Sequence, residues 1–508
     1  DINNDFNLDV LAGLNSRDLS YNQMGVTSKD QLVFGLLDHT NFITHDIVNE
    51  AGADMDYKTR NLSIGAFTSA TLGYKQFAYL VVGGRNSWTS TLEAANRSVF
   101  YPNISGSFIA TEALDFLRNK KNVNYLKVRL GYSTAANFPG PYSTRSALNI
   151  STRNFVTTGG SVINTNSIPN FLPNPNLKPE LMAETETGIE AKFFQSRLST
   201  DITLYQRVSN DQILNRDLDP STGYTSQQIN AGKVTNKGIE AQIAYKIIRN
   251  QDWVWEVTGN YTLNQSLVSD IPADLKEIVY AGYTTLGNFA INGQPLGIIK
   301  GYQFQRAADG QLLVGAGGDY LASTSIGIIG DPNPKYRVSG INSVTYKSLT
   351  FRFQVDYTCG GDMYSSTARS LLARGVTKDT EFDRAAPYIL PGVTADGQPN
   401  NQQVSATQGY FNNVFGPDQS GIFDATVVRL RDMSLSYALP EKLLSKTPFG
   451  SLSITANGSN LWYYAPNFPK YMHFDPETNG LGVGNGKGLE FITGPSARRM
   501  GLSVRVTF

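Results

Sequence analysis

The chain closes on Arg498-Arg499-Met500-Gly501-Leu502-Ser503-Val504-Arg505-Val506-Thr507-Phe508, and strict alternation of this kind admits few folds. Strand side chains have period two, so Met500, Leu502, Val504, Val506 and Phe508 share one face while Gly501, Ser503, Arg505 and Thr507 share the other. The same grammar recurs. Asn61 to Tyr74 sets Leu62, Ile64, Ala66, Ala70 and Leu72 against Asn61, Ser63, Gly65, Ser69 and Thr71, and Tyr125 to Ser133 sets Leu126, Val128, Leu130 and Tyr132 against Lys127, Arg129, Gly131 and Ser133. Glu184 to Phe193, Leu198 to Val208, Ile239 to Ile247, Trp253 to Leu263, Phe351 to Tyr357 and Ser451 to Ala456 repeat it. The spacing predicts about 14 to 16 antiparallel strands and an all-β chain. One helix is expected, from Thr111 to Lys121, with Thr111 as its cap and Leu114, Phe116 and Leu117 as its apolar side.

Such strands suit either a sandwich or a membrane-spanning barrel. No apolar run reaches the roughly 18 residues that a spanning helix needs. A barrel strand spans with roughly 9 to 11 alternating residues, so a mean hydropathy of -0.26 does not separate the two. The aromatics favour the barrel: Trp253 and Trp255, Phe351 and Tyr357, and Trp462 to Tyr464 fall toward segment ends, as interfacial girdles require. Intervals are also unequal. Ser266 to Pro295, Ala307 to Pro334, Thr358 to Gly421 and Tyr463 to Pro495 are long, others a few residues, which is the asymmetry of transmembrane barrels. In such a barrel Leu126, Val128 and Leu130 face lipid, Lys127 and Arg129 face the lumen, and terminal Phe508 is the form of signal that barrel-insertion machinery reads.

Charge and chemistry exclude other classes. Lys plus Arg and Asp plus Glu are 43 each, so there is no basic excess for a phosphate backbone. Single Cys359 allows no internal disulfide. There is no Gly-x-Ser-x-Gly elbow, and three histidines, His39, His45 and His473, are too few and scattered for a hydrolytic triad or zinc centre. His39 and His45 with Asp38 and Asp46 fit no common metal spacing. Asp475, Glu477 and Asn479 carry calcium-type donors but read as a turn. Gly480 to Gly488 lacks the phosphate-loop pattern and reads as a flexible loop. No cofactor or catalytic residue is expected.

Asn174-Pro175-Asn176-Leu177-Lys178-Pro179-Glu180, then Glu184-Thr185-Glu186-Thr187-Gly188-Ile189-Glu190 and Asp201-Ile202-Thr203-Leu204-Tyr205, resemble a signature stretch of SusC/RagA-type TonB-dependent outer-membrane transporters. Asn122 to Ser133, Val234 to Glu240 and Val428 to Pro440 resemble further strands of that family, in its order. The resemblance implies a Gram-negative outer-membrane barrel of 22 strands around an N-terminal plug, coupled to TonB–ExbB–ExbD and covered by a SusD-like surface lipoprotein. No plug-like region occurs within residues 1–508, so this chain is expected to be the C-terminal barrel portion, its sheet left open. The implied activity is uptake of oligosaccharides or oligopeptides.

Loop aromatics Tyr280, Tyr283, Phe289, Tyr320, Tyr364 and Tyr410 are the candidate substrate contacts, because aromatic faces stack on sugars and apolar side chains. Thr358 to Gly421 holds Tyr364, Leu371, Leu372, Phe382, Tyr388, Ile389 and Leu390, more apolar bulk than a linker carries, and is the candidate docking surface for the lipoprotein. Two other readings stand beside the importer: a passive porin or adhesin barrel, and an enzyme on a β scaffold, which lacks nucleophile and paired-carboxylate signatures.

Overall fold

The computed structural model describes residues 2–46, 55–117, 122–146, 148–156, 161–482 and 486–508. Fourteen strands form one sheet in which each pairs with its sequence neighbours. They are β1 (Phe6–Gln23), β2 (Tyr57–Tyr74), β3 (Ala78–Thr89), β4 (Ser98–Ile109), β5 (Val123–Asn137), β6 (Glu180–Phe193), β7 (Leu198–Asn210), β8 (Lys233–Arg249), β9 (Trp253–Ser269), β10 (Tyr336–Tyr346), β11 (Leu349–Cys359), β12 (Val427–Ala438), β13 (Ser451–Tyr464) and β14 (Arg499–Thr507). Every pairing is antiparallel, the up-and-down order of a barrel wall. Among the described residues β1 pairs only with β2, and β14 only with β13, so the wall is open.

Alternation sorts the wall into two faces. One row of partners runs Phe6, Tyr74, Ala78, Phe108, Val128, Ile189, Ile202, Ala241, Tyr261, Val338, Tyr357, Val428, Tyr464, apolar or aromatic at each of β1 to β13. The row one residue away runs Asn7, Gly73, Tyr79, Ser107, Arg129, Gly188, Thr203, Glu240, Thr262, Arg337, Thr358 and is polar nearly throughout. The apolar row starts near the beginning of β1 and finishes at the end of β13. Strands therefore lean across the wall as in a barrel.

Lipid-facing and lumen-facing assignments follow. Val128 and Leu130 lie exposed on the apolar face, Leu130 at 60%, whereas Arg129 turns to the polar face and bonds Asp201 at 2.6 Å and Thr203 at 2.5 Å. Aromatics of the apolar face collect at both rims: Phe6, Phe108, Tyr245, Trp253, Tyr346 and Tyr437 at one, Trp88, Phe100, Trp462 and Tyr464 at the other. Of the Trp462 to Tyr464 group, Tyr463 points inward, its hydroxyl donating to the His473 carbonyl.

Connections alternate between the rims. Residues 75–77, 194–197, 250–252 and 347–348 are tight turns; 24–56, 138–179, 211–232, 270–335, 360–426 and 465–498 are long and share the opposite rim. Two expectations need correction. Ser266 to Pro295 and Ala307 to Pro334 are not separate loops, because strands at Glu277–Gly282, Gly287–Ile291, Ile298–Phe304 and Ala322–Gly330 join them into one four-stranded sheet. The helix expected from Thr111 to Lys121 is a single turn, α1 (Ala110–Ala113), with residues 118–121 outside the described set. Its cap fails because Thr111 Oγ1 accepts from the β5 backbone at Leu126, 3.3 Å away.

Candidate ligand cavity at the loop end of the wall

A cavity of about 660 Å³ lies between the polar face of β9 to β12 and the long connections above it. Its floor includes Asn260, Thr262, Arg337, Gln354 and Asp356; its roof comes from residues near Pro332, Asp362, Glu477 and Lys487. The roof is built by ion pairs between loop and wall. In β12 the pairing passes from Val355–Leu430 to Gln354–Asp432, so Arg431 is an extra residue at a bulge, and bulges re-aim side chains. Arg429 and Arg431 both reach the interior. Arg431 bonds Glu477 at 2.6 and 2.8 Å and Asp356 at 2.7 Å. Asp356 also accepts from Ser339 at 2.7 Å and Gln354 at 2.8 Å.

Arg429, 1% exposed, is clasped by Asp475, one arm at 3.1 Å and the other shorter. Burial pushes the Asp475 carboxyl upward, but hydrogen bonds from Arg429, Ser496 and the Glu477 backbone, with the Arg429 charge, hold it below the usual carboxylate range. Arg429 Nε lacks a hydrogen bond although Glu477 Oε2 is 3.3 Å away: proximity without alignment is Coulombic attraction only. The donors suited to calcium are thus turned to guanidinium groups, while Asn479 bonds the Gly482 and Gly486 carbonyls.

A second knot anchors the roof. Buried Glu490 accepts from Ser365 at 2.8 Å, from Thr367 N–H and Oγ1 at 3.0 and 2.7 Å, and from Thr493 N–H at 2.6 Å. It lies at the N-terminus of helix α2 (Ser366–Ala373), where amide dipoles favour an anion. Burial alone would raise its pKa; these donors hold it low. Buried Asn288 bonds both the N–H and C=O of Lys487, at 3.0 and 2.9 Å. The described end of the glycine-rich segment is therefore anchored, not free.

The six candidate aromatics are dispersed. Phe289, Tyr364 and Tyr410 are buried: Phe289 lies beneath the Lys300 ammonium, 5.2 Å from its ring centre; Tyr364 packs with Leu286, Ile299 and Leu489; and Tyr410 packs with Leu390 and Val414. Tyr280 packs beside Ile278 and Ala290, and burial pushes its hydroxyl up to about 12. Tyr320 donates to the Pro391 carbonyl at 3.0 Å. Tyr283, 64% exposed, touches Phe491 edge-on at 5.5 Å. None of the six lines the cavity. Of what does line it, Arg337, Asp356 and Arg431 were legible only as inward charges at period two and Glu477 only as part of a turn, since Arg431 meets Asp356 and Glu477 across connections of tens of residues. His39 and His45 share Ser28 Oγ at 2.7 and 2.9 Å; among the described residues no group of three or more His, Cys, Asp or Glu side chains gathers as for a metal.

Residues 1–461 match the family model described as TonB dependent receptor-like, beta-barrel. TonB-dependent receptor P26 of Formosa agariphila is 25% identical over 87% of this chain and 46% of its own length. TonB-dependent receptor SusC of Bacteroides thetaiotaomicron is 23% identical over 42% of this chain and 22% of its own. The structure of the RagAB peptide transporter covers 100% of this chain at TM-score 0.71 and 19% identity, over 54% of that chain. The chain thus spans about half the length of the curated relatives it matches.

Proposed function

From the premise that this chain belongs to the TonB-dependent receptor-like β-barrel family and is an outer-membrane barrel wall, we propose that it is the C-terminal barrel portion of a nutrient importer. In this reading the long-connection rim faces outward, a plug and further strands elsewhere in the protein complete the barrel, and TonB–ExbB–ExbD drives uptake. A SusD-like surface lipoprotein covers the rim. Oligosaccharides or oligopeptides are the substrates.

One observation carries the reading. The polar row of the wall leads, at its loop end, into a cavity roofed by connections that are clasped to the wall rather than left free. A structural wall alone does not require a roofed polar chamber on the face that would line a lumen. Of the candidate aromatics Tyr283, exposed beside Phe491, is in this reading the ligand contact, since the other five are taken up in packing or bonding within the loops. The family consists of receptors and transporters, and no catalytic role is assigned.

The test is growth of the native host on defined oligopeptides or oligosaccharides as the sole source, with the gene deleted, then with TonB deleted. Loss in both strains on the same substrate is expected. Growth that survives loss of TonB but not of the gene would establish a passive pore instead.

A further inference from the structure

The cavity is rich in charge of both signs, but the two signs are not equally committed. Its anions are spent. Asp356 is held by Arg431, Ser339 and Gln354, and Glu477 by both arms of Arg431. Asp362 accepts from the Asp331 N–H at 2.8 Å, and burial, foremost, pushes it toward its neutral form.

Its cations are not all spent. Arg337 projects from β10 in the polar row, between Thr262 and Thr358, and among the described residues its guanidinium has no hydrogen bond or ion pair. Lys487 enters from the roof. Asn288, fully buried, fixes its backbone on both sides, yet its ammonium also has no partner among the described residues. Both side chains are exposed, and both line the cavity. A guanidinium on the floor and an ammonium on the roof are thus free to bond an acidic group, while the carboxylates of the cavity already accept from other donors.

We propose that this cavity is a carboxylate-binding subsite in which Arg337 and Lys487 grip an acidic group of the imported ligand. It rests on the importer reading and narrows it to ligands that carry a carboxylate. Arg337 offers a planar fork for two parallel bonds, and Lys487 a point charge from the opposite side. The same chemistry is presented by the free C-terminus of a peptide and by a uronic acid of a glycan.

Matched probes separate the sources: a tetra-alanine peptide against its C-terminal amide, and a digalacturonate against its methyl ester. Binding is measured by titration calorimetry on the full-length protein in detergent, for wild type, Arg337→Gln, Lys487→Gln and the double variant. The free acid of one pair is expected to bind at least about tenfold more tightly than its blocked form, the worth of one charge-assisted bond. That preference should shrink in each single variant and vanish in the double. The pair that shows it names the source. Equal affinity of free and blocked probes, binding of neither pair, or a preference that survives in the double variant overturns the proposal. Heat-modifiable gel mobility reports folding of each variant, and Arg337→Lys, which keeps the charge, should retain part of the preference. TonB-dependent growth without any carboxylate preference would leave the importer reading standing and remove only this one.

Discussion

Arg429 on β12 and Asp475 in the connection after β13 clasp one another across 46 residues of chain, both almost wholly buried. Each would be costly to bury alone. Asp475→Ala is therefore expected to destabilise the folded barrel by about 3–5 kcal/mol, the usual cost of orphaning a buried charge. The paired replacement Arg429→Met with Asp475→Leu should cost much less. Chemical denaturation of the detergent-solubilised protein measures both; a double replacement as damaging as the single one would show that the pair does more than neutralise itself.

Phe508 is 87% exposed, its one ring contact among the described residues being Phe449 at 5.5 Å. Phe508→Ser should therefore change the stability of assembled protein by less than about 1 kcal/mol while sharply lowering the fraction that reaches the outer membrane. Heat-modifiable mobility of the assembled and unassembled pools distinguishes the effects. Equal loss in both would reduce Phe508 to a lipid contact.

The two faces of β5 should answer differently to the same charge. Leu130→Arg places a guanidinium against lipid and is expected to cost roughly 2–4 kcal/mol, whereas Ser133→Arg, on the polar face, should be close to neutral. Folding titrations into lipid vesicles give both values. Equal penalties would contradict the assignment of faces.

Glu93, in the connection between β3 and β4, receives two 2.6 Å bonds from Arg145 in the connection after β5, and these lower its pKa from 4.5 to about 2. The folded value lies below the unfolded one, so the link is fully present above pH 4.5 and is lost as pH falls through about 2. Isotope-edited infrared titration of the Glu93 carboxylate should give a midpoint near 2 in wild type and near the ordinary value in Arg145→Ala. A wild-type midpoint at the ordinary value would mean that the pair does not form in solution.

The connection 360–426 buries most of its own apolar bulk, with Leu372, Leu390, Val393, Tyr410 and Phe411 inside. Val376, Phe382 and Ile389 stay exposed. Phe382 is tied to that core through Tyr388 and Phe411; if this connection docks a lipoprotein, replacing Val376 and Ile389 with Ser should reduce co-purification of that partner without altering heat-modifiable mobility. Undiminished recovery removes the docking role.

The wall was legible because period two is a local signal that burial on one face enforces strand by strand. Glu184, Glu186 and Arg129 fall on the polar face for the same reason that Ile189 and Val128 fall on the other. The connections were less so. Residues 24–56, 138–179 and 211–232 carry short hairpins of their own that composition alone does not separate from the wall. Thr111 to Lys121 has the spacing of a helix, but β5 must begin at Val123 and takes Thr111 as a partner, a tertiary demand that overrides propensity. The chamber depends on meetings such as Arg431 with Glu477, and nothing local to either residue marks the other. Loop aromatics looked available for ligands because loops usually lie at the surface; here the connections are long enough to have small cores, and Tyr364 and Tyr410 fill them.

The apolar row that climbs from Phe6 to Tyr464 also sets the parity of tolerated change. Removing one residue from the middle of a wall strand reverses every side chain beyond that point, delivering charges to lipid and leucines to water, whereas removing two restores the faces and only shifts the row along the wall. Relatives of this wall should therefore differ in strand length by even steps, or by an odd step absorbed in a bulge such as the one at Arg431. The connections at the long rim are under no such arithmetic. They are free to lengthen or shorten by any number, and it is there that new specificities can be written without disturbing the membrane seal.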